Sequence, residues 1–386
     1  MKQKIIIKNL GPIKEVDINI KPFTTLIGES GSGKSIIMRA ISMCKWVIKK
    51  TGLKNLDKLN SNRIRLDMIL KNSMLDDFFN KDTSIEFFID SKIVLSIQNN
   101  KLNRNFKKNI PQDYPYYKIL FLNENRVALP EILSTAGGRR IKLSTYTNDM
   151  MENFYEAFNF YNGEFNLNTM QIKLSQKSLP FGNIQYYIEN NNKRIKLEHA
   201  SSGEKNSILL ELILRYFSEH YTLENDNKNI EKILLTLKLG KDVREKILNS
   251  KQDYIATRLS AFIEEPEANL FPTNQTRILY FLISMVNNAN KPEIIFATHS
   301  PYMLTALNNS LQASYILNKT KNNADKIFKI IKKEHIIDEK NVSVYLIENG
   351  VAKNILEDGL IDADKIDLAS MDILNDFSRL CDFDNE

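Results

Sequence analysis

The chain has 386 residues, 42% of them hydrophobic and 26% charged, with a formal net charge of +6. Those proportions belong to a chain that folds around a sizeable core, which excludes large-scale disorder; the length suits two domains or one large α/β domain with insertions. The charge is too modest for this length to argue for nucleic acid by itself. No apolar run approaches the ~20 residues of a membrane span, and Met1-Lys2-Gln3-Lys4-Ile5 enters a strand pattern without a signal-peptide layout. No membrane association and a cytoplasmic location are therefore expected. Cys44 and Cys381, far apart in the sequence, suggest neither a disulfide framework nor a metal site.

In chain order, apolar alternation predicts strands over Lys4–Lys8 and Glu15–Ile20 around a Gly11-Pro12 turn, then a buried strand over Phe23–Ile27. A helical pattern follows over Ile36–Trp46. From Arg63 to Gln98 alternation dominates, and Ile85–Ile89 and Ile93–Ile97 flank Asp90-Ser91-Lys92 as a hairpin, an antiparallel layer added to the main sheet. Residues 99–115 read as an exposed loop, basic until Asp113, that is either solvated or in contact with phosphates. Lys118–Leu122 is a strand delivering Arg126 to a carboxyl end, where α/β sheets place ligand groups.

Residues 137–198 read as an inserted, partly helical lobe, with a helix near Asn148–Tyr161 and strands near Gln171–Leu174 and Ile184–Glu189. It lacks the sustained heptads of a coiled coil. Ser207–Tyr216, apolar on most sides, predicts a buried helix. Residues 223–252, with a helical core at Ile230–Leu239, form a smaller surface insertion. Strands return at Leu259–Ile263 and Glu293–Ala297. Val342–Glu348 and Val351–Leu356 flank Asn349-Gly350 as a hairpin, and Ile366–Phe383 reads as an acidic amphipathic helix.

Gly28-Glu29-Ser30-Gly31-Ser32-Gly33-Lys34-Ser35 fits G-x-x-x-x-G-K-[ST] between a strand and a helix, the context in which this loop cradles phosphates. The glycines let backbone N–H groups of the loop and of Ile36 face a phosphate chain, and the helix N-terminus adds partial positive charge. Lys34 can reach β- and γ-phosphates, and the Ser35 hydroxyl can take a Mg²⁺ position. Downstream, Leu259–Ile263 runs into Glu264-Glu265-Pro266-Glu267. Glu264 is the metal-side candidate and Glu265 the general-base candidate, although a strand with a charged exit has the same look.

Ala200-Ser201-Ser202-Gly203-Glu204-Lys205-Asn206 opens the buried helix and offers hydroxyl and N–H groups to an anion. It reads equally as an N-cap by Ser201 or Ser202 with Glu204 in the first turn. Ile294–Pro301 delivers His299 to a strand end beside the acids. Ala268-Asn269-Leu270-Phe271-Pro272 follows them directly and could carry a contact between subunits.

In this order, the P-loop at Gly28–Ser35, Ser201–Glu204, Glu264-Glu265 and His299 resemble an ABC-type ATPase head. Ser-x-Gly-Glu-Lys, Glu-Glu-Pro-Glu-Ala-x-Leu and Thr-His-Ser-Pro narrow the resemblance to the SMC, RecF and OLD-like branch, through residue 315. The resemblance implies an α/β P-loop NTPase of ABC-ATPase type with a mixed central sheet, its core formed by residues 1–136 and 199–386. It implies ATP and Mg²⁺ as cofactors and a head-to-tail homo-oligomer with ATP between one P-loop and the other subunit's Ser201, Ser202, Gly203 and Glu204. Lys34, Glu265 and His299 would be catalytic, and Ser35 and Glu264 would hold the metal. Glu264 is one methylene longer than the usual Asp, and Phe271 stands where the family commonly has His. Gln98 and Gln112 are the candidates for the family's Q-loop glutamine. Arg126 resembles an arginine that approaches the nucleotide in related heads.

OLD nucleases carry a Toprim nuclease domain after the ATPase, whereas the segment after His299 shows the hairpin and acidic helix. The expectation is a stand-alone ATPase switch controlling a separately encoded effector, such as a nuclease of bacterial anti-phage defence. The alternative is a RecF-like repair ATPase that binds DNA directly through basic loops at Lys101–Lys108, Gly138–Lys142 and Lys193–Lys196. The Ser-Ser-Gly-Glu-Lys signature disfavours a transporter subunit, and a small-molecule kinase would not need His299.

Overall fold

A computed structural model of the chain describes residues 1–51, 65–104, 109–111, 114–135, 143–180, 184–190, 193–221, 257–320, 324–362 and Ser378. The stretches expected at Gly138–Lys142, Ile230–Leu239 and, apart from Ser378, Ile366–Phe383, together with Gln112 and Cys381, lie outside the described residues.

The fold is α/β, organised on an eleven-stranded mixed sheet. Strands β1 (Gln3–Leu10) and β2 (Ile13–Ile20) form a hairpin, and β3 (Phe23–Ile27) feeds the glycine-rich loop and helix α1 (Lys34–Thr51). The antiparallel strands β4 (Ser84–Ile89), β5 (Lys92–Gln98) and β6 (Lys101–Arg104) continue the sheet from β1. Strand β7 (Tyr116–Leu122) lies at the other edge.

Between residues 143 and 198 come helix α2 (Thr145–Phe160) and a separate antiparallel sheet of β8 (Glu164–Leu167), β9 (Ile172–Ser178), β10 (Ile184–Asn190) and β11 (Lys193–Lys196). Helix α3 (Ser202–Arg215), β12 (Thr257–Glu264), α4 (Pro272–Val286), β13 (Glu293–Thr298), α5 (Pro301–Lys319), β14 (Val342–Glu348) and β15 (Val351–Asn354) follow. No helix among the described residues is long and apolar enough to cross a membrane.

Strands β14, β3, β13, β12 and β7 run parallel, in that order. Every residue of β3 and β13 is buried, as in a parallel strand covered on both faces, so neither shows a one-sided in–out alternation. Period-2 geometry then sends Phe262, Ile295 and Tyr345 toward α1, and Ile263, Phe296 and Val344 toward α3, α4 and α5. Helix α1 is gripped from both sides: Ile5, Ile7, Ile85 and Phe87 of the antiparallel strands share its cluster with Phe121 and Phe262 of the parallel ones. Burying each such side chain contributes about 1.5–3 kcal/mol, enough to hold α1 and its loop against the strand ends.

The expected antiparallel layer is thus continuous with the main sheet: β15 pairs with β14 and meets β2 at Val351↔Glu15. One expectation needs correction. Residues 101–104 of the expected 99–115 loop form β6, paired from Gln98↔Lys101 to Leu95↔Arg104. Asn99 and Asn100 turn the chain at φ of 52° and 56°, an Asn-Asn hairpin whose second strand has only one large apolar residue, Leu102, to announce it. The stretch 143–198 holds a helix and strands where the sequence signals them, α2, β9 and β10, with β8 and β11 beside them. Its Phe165, Leu167, Leu174 and Ile188 alternate into the same cluster as Phe154 and Phe158 of α2 and Leu209 and Leu212 of α3, so the lobe and the core share one apolar interior.

Candidate functional site

Parallel pairing in register lines up four strand ends. Ile27 pairs with Thr298, Glu264 with Ala297, and Ile263 with Leu122, so Gly28, His299, Glu265 and Asn123 leave the sheet at one edge. This is the edge at which an α/β sheet binds its ligand. Here lies a cleft of about 460 Å³, lined by Ser30, Gly31, Gly33, Lys34, Ser35, Ile36, Glu264, Glu265, Ala297 and His299, with Pro12, Phe78 and Glu124 on its rim.

The loop geometry depends on glycine where the sequence has it. Gly28 adopts φ of 152°, and a Cβ there would lie 2.3 Å from the carbonyl oxygen of Ile347 on β14. No side chain fits, so the loop can turn only at a residue without one. Lys34 folds its ammonium back on the loop, donating to the carbonyl oxygens of Gly28 and Glu29 at 2.8 Å each. Gly28, Glu29 and Ser32 therefore hold the lysine, while Ser30, Gly31 and Gly33 face the cleft. Burial pushes the Lys34 pKa down to about 8, against the pull of Glu265, Glu267 and Glu29.

Glu264 ends β12 buried, 4% exposed. Burial raises its pKa, while the Ser35 hydroxyl, Arg39 and the Glu124 backbone N–H oppose that shift. Arg39 stays 3.8 Å away, and Oε1 has no hydrogen-bond partner. A buried carboxylate oxygen without a partner, beside a hydroxyl at a helix N-terminus, is a donor set that a divalent cation completes. Among the described residues no cluster of three His, Cys, Asp or Glu side chains could hold a metal alone. The set therefore fits a cation that takes its remaining oxygens from a phosphate chain and water, as Mg²⁺ does.

Glu265 is held in the left-handed region, φ 44°, a strained conformation for a residue with a Cβ. Its N–H donates to the Ala297 carbonyl at 2.9 Å, and its own carbonyl accepts from the Arg126 guanidinium. The turn aims its side chain at the cleft, where Oε1 lies 3.3 Å from His299 Nε2. The pair is partly open to solvent.

The expectation for Arg126 needs correction. The side chain is fully buried and donates to the carbonyls of Asn123 and Glu264, at 2.8 and 2.6 Å, besides that of Glu265, and to Asn206 Oδ1. It clamps the backbone beneath the acids and does not approach the cleft. Burial lowers its pKa to about 10, and four glutamates, at positions 267, 264, 265 and 124, hold it up, so it stays charged near neutrality. Gln98 is also displaced: it donates to Glu86 on β4 and lines no part of the cleft.

Ser201–Glu204 is absent from the cleft lining. Ser201 caps α3 in a capping box: its Oγ accepts from Glu204 N–H at 3.3 Å, and Glu204 Oε2 accepts from Ser201 N–H at 2.9 Å. The cap reading of this stretch is therefore realised. Ser201 and Ser202 are exposed. Gly203 is buried against the turn after the acids, where a Cβ would lie 2.6 Å from the Asn269 carbonyl oxygen.

Sequence reasoning missed several residues. Glu124 and Phe78 reach the cleft from distant segments; only the strand end before Glu124 offered a signal. Asn206 and Glu267, both buried, brace the site from below.

No family model matches the chain, and no curated protein matches it. Among solved structures it is similar to an SMC head bound to the C-winged helix domain of ScpA, at 13% identity over 91% of this chain and 96% of that one, TM-score 0.39. It is similar to an SMC head domain from Thermotoga maritima at 12% identity over 92% and 98%, TM-score 0.37. It is likewise similar to a dimeric ATP-binding cassette in a post-hydrolysis state bound to ADP and phosphate, at 12% identity over 90% and 96%, TM-score 0.32.

Proposed function

We propose that the chain is an ATP-hydrolysing switch subunit of the OLD-like and SMC-like kind. It associates head to tail through ATP and controls a separately encoded effector, a nuclease of bacterial anti-phage defence. The observation that carries the ATPase reading is the joint position of Lys34, Ser35, Glu264, Glu265 and His299 around one cleft at the strand ends.

In this reading Lys34 leaves the Gly28 and Glu29 carbonyls and turns to the β- and γ-phosphates, and the loop N–H groups follow the phosphate chain. Ser35 and Glu264 would hold Mg²⁺, which would supply positive charge to offset that developing on the phosphates. Glu265 accepts the proton of the water that attacks the γ-phosphorus as the bond to the β-phosphate oxygen breaks and ADP leaves. His299 fixes the Glu265 carboxylate on that water. Ser201–Glu204, outside its own cleft and with Ser201 and Ser202 exposed, supplies the γ-phosphate contact for the partner subunit, so turnover requires association.

Direct DNA binding is the second reading, favoured by the exposed Lys193–Lys196 strand. It is weakened by Arg194 and Lys196 lying near Glu189 and Glu198, at 3.3 and 3.9 Å, which offsets charge that phosphates would need. The decisive experiment expresses Glu265→Gln with its genomic neighbours and isolates complexes in ATP and Mg²⁺. An ATP-dependent complex with a nuclease supports the proposal. A monomer without partners, or wild-type protein without ATPase activity, rejects it.

A further inference from the structure

Glu267 takes no part in the chemistry above, yet it is the most constrained carboxylate of the Glu264–Glu267 run. It is 8% exposed. Its Oε1 accepts from the Thr298 hydroxyl at 2.6 Å and from the backbone N–H of His299 at 2.8 Å. Its Oε2 is buried without a hydrogen-bond partner. The residues on either side are pinned: Asn206 of α3 donates from Nδ2 to the carbonyls of Pro266 and Ala268, both at 2.9 Å. The Thr298 hydroxyl in turn accepts from Ser300 N–H at 3.0 Å, tying the same carboxylate to the start of α5.

A carboxylate costs several kcal/mol to bury; Arg126 offsets part of that through charge, and the hydroxyl of Thr298 and the N–H of His299 supply the directed bonds. The donors belong to Thr298, which ends β13, and to His299, which follows it and whose imidazole meets Glu265. We infer that Glu267 is a positioning residue for the proposed hydrolysis: by gripping the Thr298 hydroxyl and the His299 amide, it fixes the backbone from which the imidazole reaches Glu265. The inference rests on the ATPase reading. It requires the acceptor at Oε1 and not the negative charge, since both bonds run to one oxygen and a glutamine carbonyl accepts them equally.

The test compares steady-state ATP hydrolysis and binding of a fluorescent ATP analogue in wild type, Glu267→Gln, Glu267→Ala, His299→Ala and the Glu267→Ala/His299→Ala pair. Glu267→Ala is expected to lower kcat about tenfold to a hundredfold with KM and analogue affinity within about twofold, as for loss of an interaction used only in the transition state. Glu267→Gln should stay within about threefold of wild type. In the His299→Ala background, Glu267→Ala should cost less than about twofold more, because residues acting as one unit are not additive.

Multiplying effects of the two alanine substitutions, or a Glu267→Gln protein as slow as Glu267→Ala, would overturn the positioning role while leaving the ATPase reading intact. Absence of hydrolysis by wild type overturns both. If Glu267→Ala does not accumulate as folded protein, Thr298→Val removes one of the two bonds and carries the same cycle. A kcat loss that vanishes without His299 supports the inference, and one that persists rejects it.

Discussion

His299 Nε2 lies 3.3 Å from Glu265 Oε1, yet the two residues reach that distance by different routes: His299 continues straight from the end of β13, and Glu265 turns back through a left-handed backbone conformation at the end of β12. The strain at Glu265 is held by Arg126 and by the Ala297 carbonyl. His299→Ala is expected to reduce kcat by about a hundredfold with KM near wild type, whereas Glu265→Gln should abolish turnover and trap bound ATP. Single-turnover measurements with labelled ATP distinguish the two, and unaltered turnover in Glu265→Gln would remove Glu265 from the mechanism.

The exposed Ser201 side chain and the buried Gly203 sit two residues apart and should fail in different ways. Ser201→Arg places a large cation on an exposed helix start, so the monomer should bind an ATP analogue normally but neither associate nor hydrolyse. Light scattering in ATP and Mg²⁺ reads this out. Gly203→Val pushes into the Asn269 carbonyl and should instead destabilise the fold by about 1–3 kcal/mol, visible as a lower urea midpoint.

Lys34 predicts a pH effect. Its native pKa is about 8 against an ordinary value of 10.5, so as pH rises the native state sheds this proton before the unfolded chain does. Between those values the unfolded state binds more protons, and the penalty for burying the charged ammonium, fully present below about pH 8, is relieved as pH rises. Phosphates restore the charge. Binding of ATP at about pH 9 should therefore take up a proton, and at about pH 7 almost none. Calorimetry in two buffers of different ionisation enthalpy measures the uptake, and Lys34→Arg should eliminate it. Equal uptake at both pH values would contradict the assignment.

A second buried ion pair lies at the opposite edge of the parallel strands. Lys45 of α1 is fully buried, bonded to Glu293 at the start of β13 and 4.4 Å from the ring centre of Tyr117, while Tyr117 and Gln3 donate to the same carboxylate. Burial lowers the Lys45 pKa, and Glu293 opposes the shift. Glu293→Ala leaves the ammonium without a counter-charge and should cost about 3–5 kcal/mol, whereas Lys45→Met with Glu293→Gln should recover most of that loss. Urea unfolding of the three proteins checks it; equal losses in single and double variants would show that packing, not charge, sets the cost.

Sequence by itself determined the parts whose cause is local. Gly28–Ser35 must turn between β3 and α1 because only glycine tolerates that backbone, and β12 ends at Glu264, with Glu265 leaving the sheet, because the apolar run ends there. The β4–β5 and β14–β15 hairpins were legible for the same reason, alternation broken by turn residues. Tertiary structure alone decided what lies between distant segments. The direction of Arg126 follows from carbonyls at positions 264 and 265, and the grip of Glu267 from Thr298 and His299. The Lys101–Arg104 strand needed the edge of β5 to exist at all. Periodicity and turn chemistry act over a few residues and leave their mark in the sequence. Hydrogen bonds that satisfy a buried charge join residues the chain keeps far apart, and only the folded geometry assigns their partners.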